Sequence, residues 1–303
     1  MKALIIGYGS IGKRHTDLLN KLGAKVAVVS RRNLSIPAHY SNVEAAVKEH
    51  EPGYVIIASR TSEHRDDIHA LAAAGFTGKL LIEKPVYQAG CEQPPHVFSK
   101  IKVAFNLRFH PALIHFRQII SERKIYAVSA YVGSYLPNWR PDTDYRTGYS
   151  AITSQGGGVL RDLSHELDYL IWLFGPWVNL TASGGHFSNL EIDSDDVFTV
   201  LFETKQVPSI SLQMNYLDTK ARRKVIALTD KGSLSLDLIS GSVEAENMNK
   251  TFVIGRDDTY IAQHKAMLFD DDSIICDIKA GLEVMGMIDA AAHASKYKKW
   301  IQP

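Results

Sequence analysis

The 303-residue sequence predicts an α/β fold: an N-terminal doubly wound parallel sheet, then an α+β region with an open, largely antiparallel sheet. Three observations carry this expectation. Short, continuously apolar runs alternate with helical patterns up to Phe105, as strands buried on both faces require. A glycine-rich turn joins the first run to the first helix. Beyond Gly175 the pattern changes to polar–apolar alternation punctuated by turn residues, which suits strands with one solvated face.

Taken in order, Ala3-Leu4-Ile5-Ile6 is the first strand, and Gly7-Tyr8-Gly9-Ser10-Ile11-Gly12 leads into a helix over Lys13–Leu22. Val26–Val29 is the second strand. Strand, G-x-G-x-x-G turn, helix and strand within about thirty residues form the dinucleotide fingerprint in its required context. Gly7 permits the tight turn, Gly9 lets a pyrophosphate approach the backbone, and Gly12 lets helix and strand pack. The helix start, including Ser10 and Ile11, offers free N–H groups and partial positive charge to phosphates. An NAD(H) site would place an acid at the end of the second strand to bind the ribose 2′-hydroxyl. The chain has Ser30-Arg31-Arg32 there, which suits a 2′-phosphate and points to NADP(H) over NAD(H).

Asn33–Tyr40 reads as a polar loop, Asn42–His50 as a short helix, and Tyr54–Ala58 as the third strand. A helix with Ile68, Leu71, Ala72 and Ala74 on its apolar positions follows and stops at Gly75. Lys79–Ile82 and Ile101–Phe105 complete the strands, closing a nucleotide domain over 1–105. Ligands of such sheets lie at the carboxyl ends of the strands, where Thr61, His64, Glu83 and Lys84 fall. Residues 106–303 form the second domain, expected to bind substrate and to dimerise. It has a helix over Ala112–Glu122, a strand over Ile125–Ser134 and a long loop over Tyr135–Gln155. A helical run follows over Val159–Phe174, then several strands from Trp177 to Glu246 and a final helix over Ile274–His293. A loop that long inside a domain is usually functional or disordered, and its Trp139, Arg140, Tyr145 and Arg146 favour function.

Hydrophobic residues make up 45% of the chain and charged residues 22%, with a formal net charge of +1. This is ordinary globular composition and argues against nucleic acid or an anionic membrane as the main partner. The two cysteines are far apart, which fits neither a disulfide framework nor a zinc site and suits a reducing cytoplasm. The N-terminal apolar run is too short for a signal peptide, and no run of eighteen apolar residues exists to span a membrane.

On a continuous helix Asp162, His165 and roughly Glu166 share a face. A histidine titrating near neutrality can pass a hydroxyl proton there. Asp162, His165 and Asp168 also resemble a metal set, but no third ligand cluster accompanies them, so no metal is expected. Arg108, Arg140 and Arg146 can hold an anionic or polyhydroxy substrate by bidentate bonds.

The chain resembles the Gfo/Idh/MocA oxidoreductases, the glucose–fructose oxidoreductase and inositol dehydrogenase group. The matching segments are Gly7-x-Gly9-x-x-Gly12 with His15, Thr61-Ser62-Glu63-His64, Glu83-Lys84-Pro85, Arg108-Phe109-His110-Pro111, and Gly156-Gly157-Gly158 through Asp168. Their order and spacing agree to about Gly175. The resemblance implies a Rossmann nucleotide domain and an NAD(P)-dependent dehydrogenase or reductase acting on CH–OH groups of a sugar or nucleotide-sugar. It further implies a catalytic Lys84 followed by a proline that is often cis, and a homo-oligomer (dimer or tetramer). The long loop is more loosely similar to a subgroup tied to bacterial surface-sugar biosynthesis. One departure stands out: the family spaces its Asp and His four apart, whereas Asp162 precedes His165 by three and Arg161 by four. Which acid orients His165 stays open, and the departure weighs against myo-inositol-like substrates. Two other classes fit the resemblance, a glycoside hydrolase assisted by retained NAD and a non-catalytic nucleotide- and sugar-binding sensor. Ser30-Arg31-Arg32 weighs against the first, and the intact Lys84 and His165 against the second.

Overall fold

Lys2–Ile6 forms β1, and its residues Ala3–Ile6 are fully enclosed because the run offers no polar face to solvent. The computed structural model describes residues 1–303. α1 (Ser10–Lys21), β2 (Lys25–Val29), β3 (His39–Tyr40) and α2 (Val43–His50) follow. Asn42 caps α2 by accepting the Ala45 N–H at 2.8 Å. Next come β4 (Tyr54–Ile57), α3 (His64–Ala73), β5 (Lys79–Ile82) and β6 (Lys100–Val103). These strands pair in parallel in the order β6-β5-β4-β1-β2-β3. Ile5 faces Val28 on one side and Ile56 on the other. The order reverses at β1, so the carboxyl ends of β1, β2 and β4 surround the switch point where such sheets bind ligands.

The second unit begins with α4 (Pro111–Ile120) and β7 (Ile125–Gly133), continues through α5 (Val159–Asp162) and α6 (His165–Phe174), and then becomes β-rich. Its strands are β8 (Trp177–Gly185), β9 (Val197–Thr204), β10 (Ile210–Asn215), β11 (Arg222–Thr229), β12 (Gly232–Asp237), β13 (Ser242–Ala245) and β14 (Met248–Thr251). With β7 they form an eight-stranded sheet in the order β14-β13-β12-β11-β7-β10-β9-β8. Every pairing is antiparallel except β7 with β10. Alternation puts Val128, Ala130, Val200, Leu212, Met214, Val225 and Ala227 on the enclosed face. The other face carries Ser129, Ser211, Leu201, Ile226 and Leu228, and the three aliphatics there are 38–49% exposed.

Residues 256–283 then rejoin the first unit. They contain α7 (Asp258–Leu268) and β15 (Cys276–Asp277), which pairs antiparallel with β6. α8 (Ile278–Tyr297) follows directly. The units are thus Met1–Asn106 with Arg256–Glu283, and Leu107–Gly255 with Val284–Pro303, whereas the sequence suggested uninterrupted segments 1–105 and 106–303. The return is hidden from periodicity because α7 buries polar Thr259, Gln263 and His264 beside Ala266 and Met267.

Two more features differ from the sequence reading. Tyr135–Gln155 is not structureless but holds four 3-10 turns, at Leu136–Asn138, Tyr145–Thr147, Tyr149–Ala151 and Thr153–Gln155. The helical run 159–174 breaks at Leu163–Ser164, where tight bonds from Ser164 N–H to Arg161 and from Glu166 N–H to Leu163 replace regular helix. Asp162 therefore ends one helix and His165 starts another, so the face-sharing rule of a continuous helix does not apply to them.

Candidate active site

In the first unit the glycine turn is shaped by close backbone approach. Gly7 adopts φ +93°, and a Cβ there would strike the Ala58–Ser59 peptide. A Cβ on Gly12 would collide with the Gly7 carbonyl oxygen, whereas one on Gly9 would meet nothing within 4 Å. The open side of Gly9 thus faces free space beside the start of α1. That helix carries no side-chain cap and no acid in its first turn, so the N–H groups of Ser10, Ile11 and Gly12 stay available to an anion. These residues fit a dinucleotide pyrophosphate.

At the end of β2, Ser30 is buried and its Oγ accepts the Arg32 N–H at 3.2 Å. The Arg32 guanidinium donates to the Tyr8 carbonyl, which lays it over the glycine turn. Arg31 pairs with Glu63 at 3.2 Å, its own side chain 85% exposed. An acid missing from the strand end is therefore supplied from the turn before α3, a contact that the local sequence could not reveal.

Lys84 lies two residues beyond the end of β5, and its bond to Pro85 is cis. The peptides on both sides are held. Glu83 Oε2 accepts the Lys84 N–H at 3.2 Å, and its Oε1 lies 2.8 Å from His15 Nε2. His64 is enclosed, with Nδ1 3.2 Å from the Pro85 carbonyl and 3.1 Å from that of Val86, so Nδ1 carries the proton and donates. Burial pushes this imidazole below the ordinary histidine range, leaving it neutral. Thr61 is buried in the turn ahead of α3. His64, Glu83 and His15 thus brace the turn that presents Lys84.

In the second unit, Asp162 accepts the Tyr216 hydroxyl at 2.7 Å and is also hydrogen-bonded by Tyr149. Burial first, and then the charge of Asp162, hold both phenols well above the usual tyrosine range, so each stays protonated as a donor. Trp139 meets Tyr216 edge-on at 5.2 Å and donates its Nε1–H to Ser134 at 3.0 Å. Arg140 lies close enough to favour the phenolate of Tyr149 electrostatically. Half-buried His165 opens α6, three residues from Asp162.

Two sequence-predicted substrate arginines are committed elsewhere. Arg108 is buried in a forked pair with Asp168, with N–O distances of 2.7, 2.9 and 3.2 Å. It also stands 5.4 Å from the Trp172 ring. Its guanidinium is an internal tie, not a surface ready for substrate, because Asp168 occupies its fork. Arg146 bonds Asp144 through Nε and Nη2 and Glu191 through Nη1, and Tyr145 Oη accepts the Glu191 N–H at 3.3 Å. Both residues fasten the long loop to Glu191. Tyr149 and Tyr216 were missed because a lone tyrosine carries no motif. Only the fold brings residues 149, 162 and 216 together.

A 3-2-1-4-5-6 sheet whose glycine turn feeds an uncapped helix start is a Rossmann-type dinucleotide-binding unit. The model of the oxidoreductase family with NAD-binding Rossmann fold, GFO/IDH/MocA, matches residues 1–95, and that of the GFO/IDH/MocA C-terminal domain matches residues 114–235. The chain belongs to the Gfo/Idh/MocA oxidoreductase family. An uncharacterized oxidoreductase of Synechocystis, sll0816, is 27% identical over 180 residues, covering 56% of this chain and 45% of that protein. The match thus spans less than half the length of that relative. Levoglucosan dehydrogenase in complex with NADH and levoglucosan superposes with TM-score 0.86 at 16% identity, covering 100% of this chain and 99% of that one. The WlbA dehydrogenase of Bordetella pertussis, in complex with NADH and UDP-GlcNAcA, gives 0.81 at 16% identity over 100% and 98%. At such identities the likeness is one of fold. No helix is long and apolar enough to cross a membrane.

Proposed function

We propose that the chain transfers hydride between NADP(H) and a hydroxyl or keto carbon of a sugar or sugar derivative, acting in the cytoplasm as a homo-oligomer. The observation that carries the reading is Lys84, which sits at the carboxyl end of a central strand on a turn braced by Glu83 and His64. The bound nicotinamide supplies or accepts the hydride. Lys84 holds the substrate oxygen through its ammonium group. His165 moves the hydroxyl proton, and Asp162 with Tyr149 and Tyr216 fixes the polar wall beside it. Arg140 and Trp139 meet the sugar. Sugar-acting relatives of the same fold, levoglucosan dehydrogenase and WlbA among them, support the substrate class. Ser30, Arg31 and Arg32 take the 2′-phosphate, with Arg31 exchanging Glu63 for it. One observation favours NAD(H) as a second reading: the Arg31–Glu63 pair already places a carboxylate near that position. The exposed face of the second sheet, with Ser129, Ser211, Leu201 and Ile226, is the surface proposed for self-association.

Replacing Lys84 tests the reading. Lys84→Ala should leave cofactor affinity within about threefold while abolishing turnover, since it removes an interaction made in the transition state. Retained turnover would rule the lysine out.

A further inference from the structure

Behind Glu83 runs a buried hydrogen-bond chain that the proposed reaction does not use. Tyr54 Oη lies 3.0 Å from His264 Nδ1, His264 Nε2 lies 2.9 Å from His15 Nδ1, and His15 Nε2 lies 2.8 Å from Glu83 Oε1. Tyr54, His15 and His264 are fully enclosed and Glu83 is 9% exposed. The participants come from β4, α7, α1 and the end of β5. α7 is anchored beside them: Arg14 bonds Asp257 at 3.4 Å and stacks over Tyr260, whose ring meets His15 edge-on.

The chain's ends set its direction. Burial, with the charge of Glu83 added, holds the Tyr54 phenol well above its usual range, so its O–H donates. An ionised carboxylate only accepts. Burial, then the neighbouring His15, pushes His264 well below the usual histidine range, so it carries a single N–H. With a single N–H on His264 and the Tyr54 O–H donating, one arrangement satisfies all three links. Tyr54 O–H donates to His264 Nδ1, His264 Nε2–H donates to His15 Nδ1, and His15 Nε2–H donates to Glu83. Reversing His15 would aim a lone pair at the carboxylate, and reversing His264 alone would set two bare nitrogens face to face.

We propose that His264 and His15 are positioning residues for Lys84. They fix one oxygen of Glu83, so that the other accepts the Lys84 N–H and sets the peptide from which the lysine projects. The return segment, remote in sequence, thereby completes the turn of the first unit. The inference rests on the proposed role of Lys84, and its test separates the two.

In His264→Phe the ring volume stays while both links are lost, and in His264→Gln a side-chain N–H donor toward His15 remains. The Lys84 backbone amide resonance, followed by NMR on the full-length, ligand-free protein, should move in His264→Phe and return toward its wild-type position in His264→Gln. In ¹⁵N-histidine-labelled wild type, rings 15 and 264 should both be Nε2–H tautomers near pH 7.5. Where the wild type turns over, His264→Phe should lower kcat roughly 10–100-fold, the usual cost of removing a group behind a reacting one. Cofactor Kd should change little, and His264→Gln should recover most of the loss. An unmoved Lys84 amide in a folded His264→Phe protein, an Nδ1–H tautomer or imidazolium at His264, or wild-type kcat in that variant would overturn the proposal. A wild type that binds no dinucleotide would sink the oxidoreductase reading instead, and the NMR results would still decide the positioning claim.

Discussion

Asp168→Ala separates an internal tie from a substrate-binding arginine. The Arg108 and Asp168 side chains are 6% and 2% exposed, and the fork is closed by three N–O contacts of 2.7–3.2 Å. Arg117, whose guanidinium lies 4.2 Å from the Trp172 ring, is lowered by burial and by the charge of Arg108, so a second cation already crowds the site. Removing the carboxylate leaves Arg108 buried and uncompensated, which costs about 3–5 kcal/mol. For a chain of this size, that loss lowers the unfolding midpoint by roughly 10 °C. Replacing both partners with apolar residues of similar volume, Arg108→Met with Asp168→Leu, removes the stranded charge and should recover most of the loss. Thermal unfolding followed by circular dichroism, run on the two single variants and the double, measures this directly. A folded Asp168→Ala protein with an unchanged midpoint would refute the reasoning. So would an Arg108→Met protein of wild-type stability whose only defect was a raised KM, since that would return Arg108 to the substrate.

Two further outcomes are expected. Arg31→Ala combined with Arg32→Ala should weaken NADPH by about tenfold or more and NADH far less, because each lost charge-assisted bond to a phosphate contributes about 1.5–3 kcal/mol; equal losses for both cofactors would refute the 2′-phosphate assignment. Asp67, which accepts the Ser59 hydroxyl at 2.5 Å, is raised to about 6, mainly by burial. Between about pH 4 and 6 the folded chain therefore binds more protons here than the unfolded chain, so stability falls as pH rises through that window. Above it the ionised group costs roughly 3 kcal/mol, and Asp67→Asn should gain about that much at pH 7.5 and almost nothing at pH 4, as read by urea denaturation. A gain independent of pH would discount the buried carboxylate.

The nucleotide unit was legible because its information is local. Continuous apolar runs at 3–6, 54–57 and 80–82 read as enclosed strands, and Gly7, Gly9 and Gly12 mark the turn by their spacing alone, although Gly7 is also pressed against the distant Ala58–Ser59 peptide. The second sheet was legible as alternation. What the sequence concealed depends on distant partners. Arg108 read as a free cation until Asp168, sixty residues away, was seen to close its fork. Arg31 met its acid on a separate turn, and α7, packed through Thr259, Gln263 and His264, carried too little apolar periodicity to be noticed. The break between Asp162 and His165 escaped notice because Leu163 and Ser164 are ordinary residues in a helix-like pattern.

Fluorescence titration of the purified full-length protein with NADPH and with NADH, after a check for cofactor carried through purification, comes first. Saturable, exchangeable binding of NADPH, clearly tighter than that of NADH, is the expected result and justifies screening keto-sugars and nucleotide-sugars for turnover. Tight NADH with weak NADPH would overturn the assignment of Ser30, Arg31 and Arg32, and a retained, non-exchangeable NAD would shift the reading to NAD-assisted hydrolysis. Binding of neither nucleotide would contradict the proposed hydride chemistry at its root.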